Sequence, residues 1–233
     1  MKWNVIHKAA SASTNIDARS GRAGDVFTAD WQSAGRGRLD HKWHSPRGAN
    51  LIMSAVIDVS GLESAHVATL PIAIGLAVCR AAKDLGVYDT MIKWPNDILV
   101  NDKKLAGILC ELNGALAIVG IGMNVNCRDF PGDIAQRATS LLLETGLRRD
   151  VAGVRDAVLG QISSILPVWK EKGLEALWEA LVPLDCLRGR QVRVLRIDSD
   201  PTPLEGLCGG IAPDGSLLVA GEHIWAGEAT IGS

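Results

Sequence analysis

Gln32 to Asn50 reads Q-S-A-G-R-G-R-L-D-H-K-W-H-S-P-R-G-A-N. Gly35 and Gly37 alternate with Arg36 and Arg38, and His41, Lys42 and Arg47 follow. A glycine beside an arginine puts bare backbone N–H groups and a forked guanidinium in one place. Such a loop suits an anionic small molecule, a phosphate or a carboxylate. Both flanks read as strand. Asp25 to Trp31 precedes the loop, with Val26, Thr28 and Trp31 favouring a pleated surface, and Asn50 to Val59 follows it. A basic loop slung between two strands marks an enzyme candidate.

Working outward, Trp3 to His7 is a short strand, and Ser13-Thr14-Asn15 offers N-cap residues for a helix reaching Arg19. Ser64 to Leu85 carries apolar residues at helical spacing, with Gly86 as its stop and Pro71 tolerated only in the first turns. Met91–Trp94, Ile98–Val100, Lys104–Leu112 and Ala115–Val125 are strand-like runs separated by turn signals. Asn113-Gly114 is the strongest hairpin signal among them. Asp150–Lys170 and Leu174–Leu181 have the apolar faces of helices. Beyond Leu184 the character changes. Arg190 to Ile197 alternates, and the turn strings D-S-D-P-T-P, G-G, P-D-G and A-G-E recur at short intervals. This predicts a small β-barrel over residues 185–233, appended to a larger domain over residues 1–184.

Composition narrows the classes. The chain has 233 residues, 47% hydrophobic, with a formal charge of −2. A dedicated nucleic-acid binder carries a strong basic excess, so the arginine loop is a local concentration of charge. The five cysteines show no C-x-x-C spacing, which fits reduced thiols in a cytoplasmic protein better than disulfides or a zinc site. Val67 to Ala82 is interrupted by Pro71 and falls short of a membrane span.

Four further strings carry chemistry. In Lys93-Trp94-Pro95-Asn96-Asp97, Pro95 holds Trp94 extended, and Asp97 near a phosphate site can hold Mg²⁺ or orient lysines; the same string is also ordinary turn chemistry. Lys103-Lys104-Leu105-Ala106-Gly107-Ile108 opens an apolar strand with lysines and carries a glycine of the kind that marks close ligand approach. Gly120-Ile121-Gly122-Met123-Asn124-Val125-Asn126 suggests a bare backbone wall, with Asn124 and Asn126 on one face. Ser13 and Thr14 can bind a ureido or carboxylate oxygen or merely cap a helix.

In this order, S-T-N, Q-S-A-G-R-G-R, W-H-S-P-R-G-A-N-L, K-W-P-N-D, K-L-A-G-I and G-I-G-M-N-V-N closely resemble the catalytic-domain blocks of the biotin–protein ligase family. The resemblance runs from Ser13 to Asn126, and the β-rich tail matches that family's C-terminal barrel. It implies an α+β fold: a class II aminoacyl-tRNA synthetase-like core, its mixed, largely antiparallel sheet carrying helices on one side, plus the barrel. It also implies an activity. ATP, with Mg²⁺, adenylates biotin, and the biotinyl group passes to one lysine of a biotin carboxyl carrier protein.

Residue by residue, the resemblance places Arg38, Lys104 and Asp97 at the chemistry, Asp97 also as a metal ligand. It gives Ser13, Thr14, Asn15, Gln32, Gly35, Arg36, Trp43, Lys104, Gly107 and Gly122 to biotin. Arg38, His41, Lys93, Asn96 and Asn124 fall to ATP. One departure stands out. Many members continue G-R-G-R-R-G-R, where this chain has Leu39, Asp40 and His41, so a looser hold on the adenylate phosphate is expected. Ile52 stands where some members have tyrosine, and no tryptophan lies between Phe130 and Gly146 to stack on adenine. With the catalytic blocks starting near the N-terminus, a ligase-only type without DNA or membrane partners is expected, and a homodimer stays open. The rivals are a lipoate– or octanoyl–protein ligase and a non-catalytic biotin-binding module.

Overall fold

The computed structural model describes residues 2–197 and 202–232. The turn signals at 198–201 lie outside them. Seven strands form the main sheet: β1 (Asn4–Lys8), β2 (Asp25–Ala29), β3 (Asn50–Asp58), β4 (Thr90–Lys93), β5 (Asp97–Val100), β6 (Lys103–Asn113) and β7 (Leu116–Asn124). Their order is β1-β2-β3-β7-β6-β5-β4, and every pairing except β1–β2 is antiparallel. The β6–β7 hairpin is the one the Asn113-Gly114 signal predicts, but its turn residues are Gly114-Ala115, because Asn113 still pairs with Leu116. Gly114 takes φ +60, the conformation a tight hairpin demands of its first central residue.

One sheet face is covered by α3 (Leu70–Asp84) and α5 (Val151–Lys172), preceded by α2 (Ser64–Ala68) and α4 (Leu141–Thr145). Eleven residues of α3 are buried. Its large aliphatic residues, Leu70, Ile72, Ile74, Leu76 and Val78, each contribute about 1.5–3 kcal/mol by leaving water. The single helix expected from Ser64 to Leu85 is two helices that meet at Thr69. Proline lacks an N–H and its ring crowds the carbonyl four residues back, so the break puts Pro71 in a first turn. Thr69 secures the junction: its hydroxyl donates to His66 O (2.7 Å) and accepts from the buried Trp169 indole (2.8 Å).

The helices are not all on one side. The short α1 (Thr14–Ala18) lies on the opposite face, where Ala18 packs with Phe27, Val56 and Ile118. The physical reason is the apolar residues that β2, β3 and β7 also present to that face. Rows further along the same face carry Gly107, Gly120, Gly122 and Ser54 beside Ile52 and Leu109, and the cavity described below lies there.

After α6 (Trp178–Leu181), five antiparallel strands build the small barrel: β8 (Gln191–Arg196), β9 (Leu204–Ile211), β10 (Leu217–Val219), β11 (Glu222–Ile224) and β12 (Gly227–Ile231), in the order β11-β10-β9-β8-β12. It is fastened to the main sheet. Trp94, which joins Pro95 through a cis peptide, is 2% exposed and donates its indole N–H to Gly215 O (3.0 Å), while Cys186 N donates to Ile92 O (3.1 Å). Buried Asp185 accepts from Leu187 N (3.0 Å) and Ile211 N (2.7 Å), so the chain enters the barrel through satisfied hydrogen bonds. The helical stretch Ser64–Asp84 is apolar enough to cross a membrane by composition, but most of it is packed inside the protein.

Candidate active site

Three adjoining strands make the floor of a cavity. Register places Gly107, Gly122 and Ile52 in one row and Leu109, Gly120 and Ser54 in the next. The glycines are not a bare wall. A Cβ on Gly122 would run into the Trp43 indole, and one on Gly120 into the Asn15 carboxamide. One on Gly107 would stand 3.1 Å from Lys104 Cε and 3.3 Å from the indole. These glycines line the cavity and also seat the side chains that shape it.

The basic loop folds onto this floor as a tight ring. Trp43 N donates to Gly35 O (3.0 Å) and Gly37 N to His41 O (2.7 Å), and Arg36 and Lys42 form a bridge. The turn at its tip, Arg38–Asp40, puts Leu39 at φ 51 and ψ 37, a left-handed conformation that costs a side-chain-bearing residue. Trp43 lies under Lys104, whose Nζ is 5.6 Å from the ring centroid, and its indole nitrogen is buried without a partner.

Cations crowd one end of the cavity. Lys104 Nζ is 2.8 Å from Asp97 Oδ1. Arg38 Nη1 donates to Gly227 O of the barrel (3.1 Å), and Glu228 of the same strand also lines the cavity. Burial pulls the Arg38 guanidinium below its ordinary pKa, while Glu228 and Asp97 pull it back up. Arg36, His41 and Lys42 stand exposed at the mouth. Asn96 donates its amide to Ile108 O (2.7 Å), which pins the P-N-D turn to β6.

The other end is a hydrogen-bonded network. Thr14 N (2.7 Å) and Thr14 Oγ1 (3.1 Å) both donate to Gln32 Oε1. Ser54 Oγ, fully buried on β3, lies within hydrogen-bond distance of Thr14 Oγ1 (2.8 Å) and Asn15 Oδ1 (2.6 Å), with one hydrogen to share between them. Asn15 Nδ2 in turn donates to Glu111 Oε2 (2.6 Å), and Glu111 is paired with Arg19 at 3.2 Å. Ser13 makes no side-chain capping bond. The triplet is therefore a wired segment rather than an open helix cap.

The structure brings Ser13, Thr14, Asn15, Gln32, Arg36, Arg38, His41, Trp43, Asn96, Asp97, Lys104, Gly107 and Gly122 to one cavity. Gly35, Lys93 and Asn124 do not line it. A Cβ on Gly35 would stand 2.8 Å from Gln32 Nε2, so this glycine makes room for that amide. Lys93 faces Asp97 across the β4–β5 pairing. Asn124, expected at adenine, is 4% exposed; it accepts from Asn50 Nδ2 (3.1 Å) and donates to Thr139 O (3.0 Å), bracing the loop after β7. Sequence reasoning missed Ser54, Glu111 and Glu228. A lone hydroxyl in the apolar run N-L-I-M-S-A-V-I was a signal for Ser54; Glu228, from a strand far along the chain, had none.

Among the described residues no three His, Cys, Asp or Glu side chains cluster as a metal site. Asp97 and Glu228 are the carboxylates that line the cavity. That donor set suits an Mg²⁺ carried in on phosphates, which takes one or two carboxylates from the protein, rather than a resident ion.

A mixed sheet with a two-ended cavity, cations at one end and a neutral hydrogen-bonding network at the other, defines a protein that holds a small molecule with an anionic and a polar pole. The chain belongs to the biotin/lipoate A/B protein ligase family, whose model matches residues 9–126. It is 31% identical to the bifunctional ligase/repressor BirA of Salmonella typhimurium over 214 residues, covering 88% of this chain and 66% of that one. It is 36% identical over 146 residues to the biotin–[acetyl-CoA-carboxylase] ligase of Mycobacterium tuberculosis, covering 60% of this chain and 54% of that one. The chain thus spans just under two thirds or less of these curated relatives. Among solved structures, the biotin protein ligase from Aquifex aeolicus in complex with biotin and ATP superposes with a TM-score of 0.87 at 31% identity, over 97% of both chains. The α+β fold, with a class II aminoacyl-tRNA synthetase-like core and a small barrel, is that of this family.

Proposed function

We propose that this protein adenylates biotin with ATP and transfers the biotinyl group to a lysine of a biotin carboxyl carrier domain. The observation that carries the reading is the two-ended cavity, with Thr14 and Gln32 facing Arg38, Lys104 and Asp97 across a glycine floor. In the first step a biotin carboxylate oxygen bonds to the α-phosphorus of ATP, the bond to the β-phosphate oxygen breaks, and pyrophosphate leaves. Two anions must meet. Lys104 and Arg38 offset their repulsion and stabilise the charge that grows on the phosphate. Asp97, paired with Lys104, would help hold an Mg²⁺ arriving with the nucleotide, and that ion would supply charge neutralisation for the leaving pyrophosphate. In the second step the acceptor amine attacks the acyl carbon and AMP departs. Holding carboxylate and phosphate in line contributes up to about 7–11 kcal/mol of the barrier reduction.

The polar end favours biotin over lipoate. A ureido group offers N–H donors and a carbonyl acceptor to Thr14 Oγ1 and Gln32 Nε2, whereas a lipoyl tail offers neither. Asn15 supports this end from behind, since both of its polar atoms are bonded within the protein. We also place the domain boundary at residue 184/185 and the protein in a reducing, cytoplasmic setting, which suits five free cysteines. The test is incubation with biotin, ATP, Mg²⁺ and an acceptor domain, read by intact mass. A biotinyl adduct on the acceptor is expected. Pyrophosphate exchange driven by lipoate and not by biotin would reverse the reading.

A further inference from the structure

Among the described residues, Glu228 is the one part of the cavity wall that comes from the barrel. Residues alternate along β12: Gly227 and Ala229 are buried, and Glu228 between them turns to the outer face of the barrel, half-buried. That face meets the cationic end of the cavity, since Gly227 O takes the Arg38 Nη1 bond at 3.1 Å and the Glu228 charge favours the charged form of Arg38. The wall holds one other carboxylate, Asp97, and it is already taken by Lys104 at 2.8 Å. No donor among the described residues bonds Glu228. Adenylation gives this charge nothing to hold. The biotin carboxylate and the ATP phosphates are anions and are repelled by it. Asp97 serves the Mg²⁺ that arrives with them, an ion that takes one or two protein carboxylates. Transfer brings the other cation of the reaction: at neutral pH an acceptor lysine arrives as an ammonium. Its charge sits at the tip of a flexible four-carbon stem, so it can reach a half-buried carboxylate while the rest of the acceptor stays outside.

We infer that Glu228 is the binding point for the acceptor lysine, a barrel carboxylate that holds the amine nitrogen beside the acyl adenylate. The inference rests on the biotin-transfer reading of the cavity and adds to it the group that recognises the nucleophile. In the transfer step the ammonium first loses one proton to water. Its nitrogen then bonds to the acyl carbon, and the bond from that carbon to the phosphate oxygen breaks, its electron pair leaving with AMP. The new amide nitrogen sheds a second proton to water. Glu228 forms no covalent bond; it accepts an N–H from the amine and keeps the nitrogen in place.

Single-turnover assays separate the two steps. Adenylate formation is followed with biotin, ATP and Mg²⁺. Transfer is followed by adding either a biotin carboxyl carrier domain or hydroxylamine to the preformed enzyme–adenylate complex. Hydroxylamine is an uncharged nucleophile at neutral pH and has no use for a carboxylate. In Glu228→Gln, close to the native side chain in shape, transfer to the carrier domain should fall by about tenfold or more beyond any fall in adenylation, since a hydrogen bond to a charged partner is lost. Capture by hydroxylamine should change only as adenylation does. Glu228→Asp, which keeps the charge, should recover part of the loss. Added salt should slow transfer to the carrier more in the wild-type protein than in Glu228→Gln, because screening weakens the attraction. A parallel fall in adenylation and transfer, as a role toward Mg²⁺, the ribose or Arg38 would give, overturns the inference. So does an equal loss with both nucleophiles, or carrier transfer undiminished in Glu228→Gln. Each of these leaves biotin activation intact. A wild-type protein that forms no biotinyl adenylate, or passes it to no carrier domain, overturns the functional reading and the inference together.

Discussion

The two ends of the cavity are built on opposite principles. At the polar end almost every donor and acceptor is satisfied within the protein: Gln32, Thr14, Ser54, Asn15 and Glu111 form one chain of bonds of 2.6–3.1 Å, and Thr14, Asn15 and Ser54 are buried. At the cationic end the groups are half-exposed or exposed, held by one ion pair, one bond to the barrel and a loop with a left-handed Leu39. Neutral recognition must be rigid in advance, because a hydrogen bond discriminates only when its geometry is preset. Charge recognition tolerates slack, since attraction falls off gently with distance.

This contrast sets what each end should do when broken. Lys104→Ala should have the largest effect, lowering the adenylation rate by about 10²–10³ with the fold intact, since its side chain is 36% exposed. Arg38→Ala should fall in the same direction by about 10², with an added loss of barrel contact. Stopped-flow formation of the adenylate, beside a thermal melt, checks both, and a variant that unfolds shows its residue to be structural. Thr14→Val, nearly isosteric, should instead raise the KM for biotin about tenfold with kcat nearly kept. A fall in kcat alone would erase the distinction between the ends. Trp94→Phe touches neither end. It removes the indole bond to Gly215 O and should cost about 1 kcal/mol of stability, seen as a lower Tm at unchanged activity per folded molecule. A further effect, on neither end, comes with pH. Burial pushes the Cys79 and Cys186 thiols up to about 12, from an ordinary value of 9.0. They stay protonated in the fold while the unfolded chain ionises above pH 9, so their contribution is complete below that pH and lost as pH rises toward 12. Denaturant titrations between pH 8 and 11 should show a gradual decline.

Leu39 bears on the cationic end. The sequence places Leu-Asp-His where many relatives have Arg-Gly-Arg, which implies a weaker grip on the adenylate. The fold adds that Leu39 occupies a left-handed position at the tip of the ring. The two bear on the loop separately, since the glycine of Arg-Gly-Arg falls at Asp40, one residue past the left-handed Leu39.

Much of the architecture was legible because it is local. Alternation, turn chemistry and the Asn113-Gly114 hairpin specify strands within a few residues, and the motif strings named most of the residues that meet at the cavity. The break at Thr69 was half legible: Pro71 warned against a continuous helix, but the packing of Trp169 on Thr69 gives the break its position. What no string contained was mutual placement. Glycines expected to leave backbone bare instead seat Trp43 and Asn15, because residues far apart in sequence fall opposite one another in register. Asn124, with the right residue type, is taken up by Asn50 and Thr139, while Glu228 arrives from the barrel. The sequence alone determined which chemical groups are available and which family they belong to, since those are properties of residue type and order. Which groups face the ligand, which brace their neighbours and which way each hydrogen points was decided only by the tertiary structure, because hydrogen-bond polarity depends on distances of under about 3 Å between strands that the chain itself does not make adjacent.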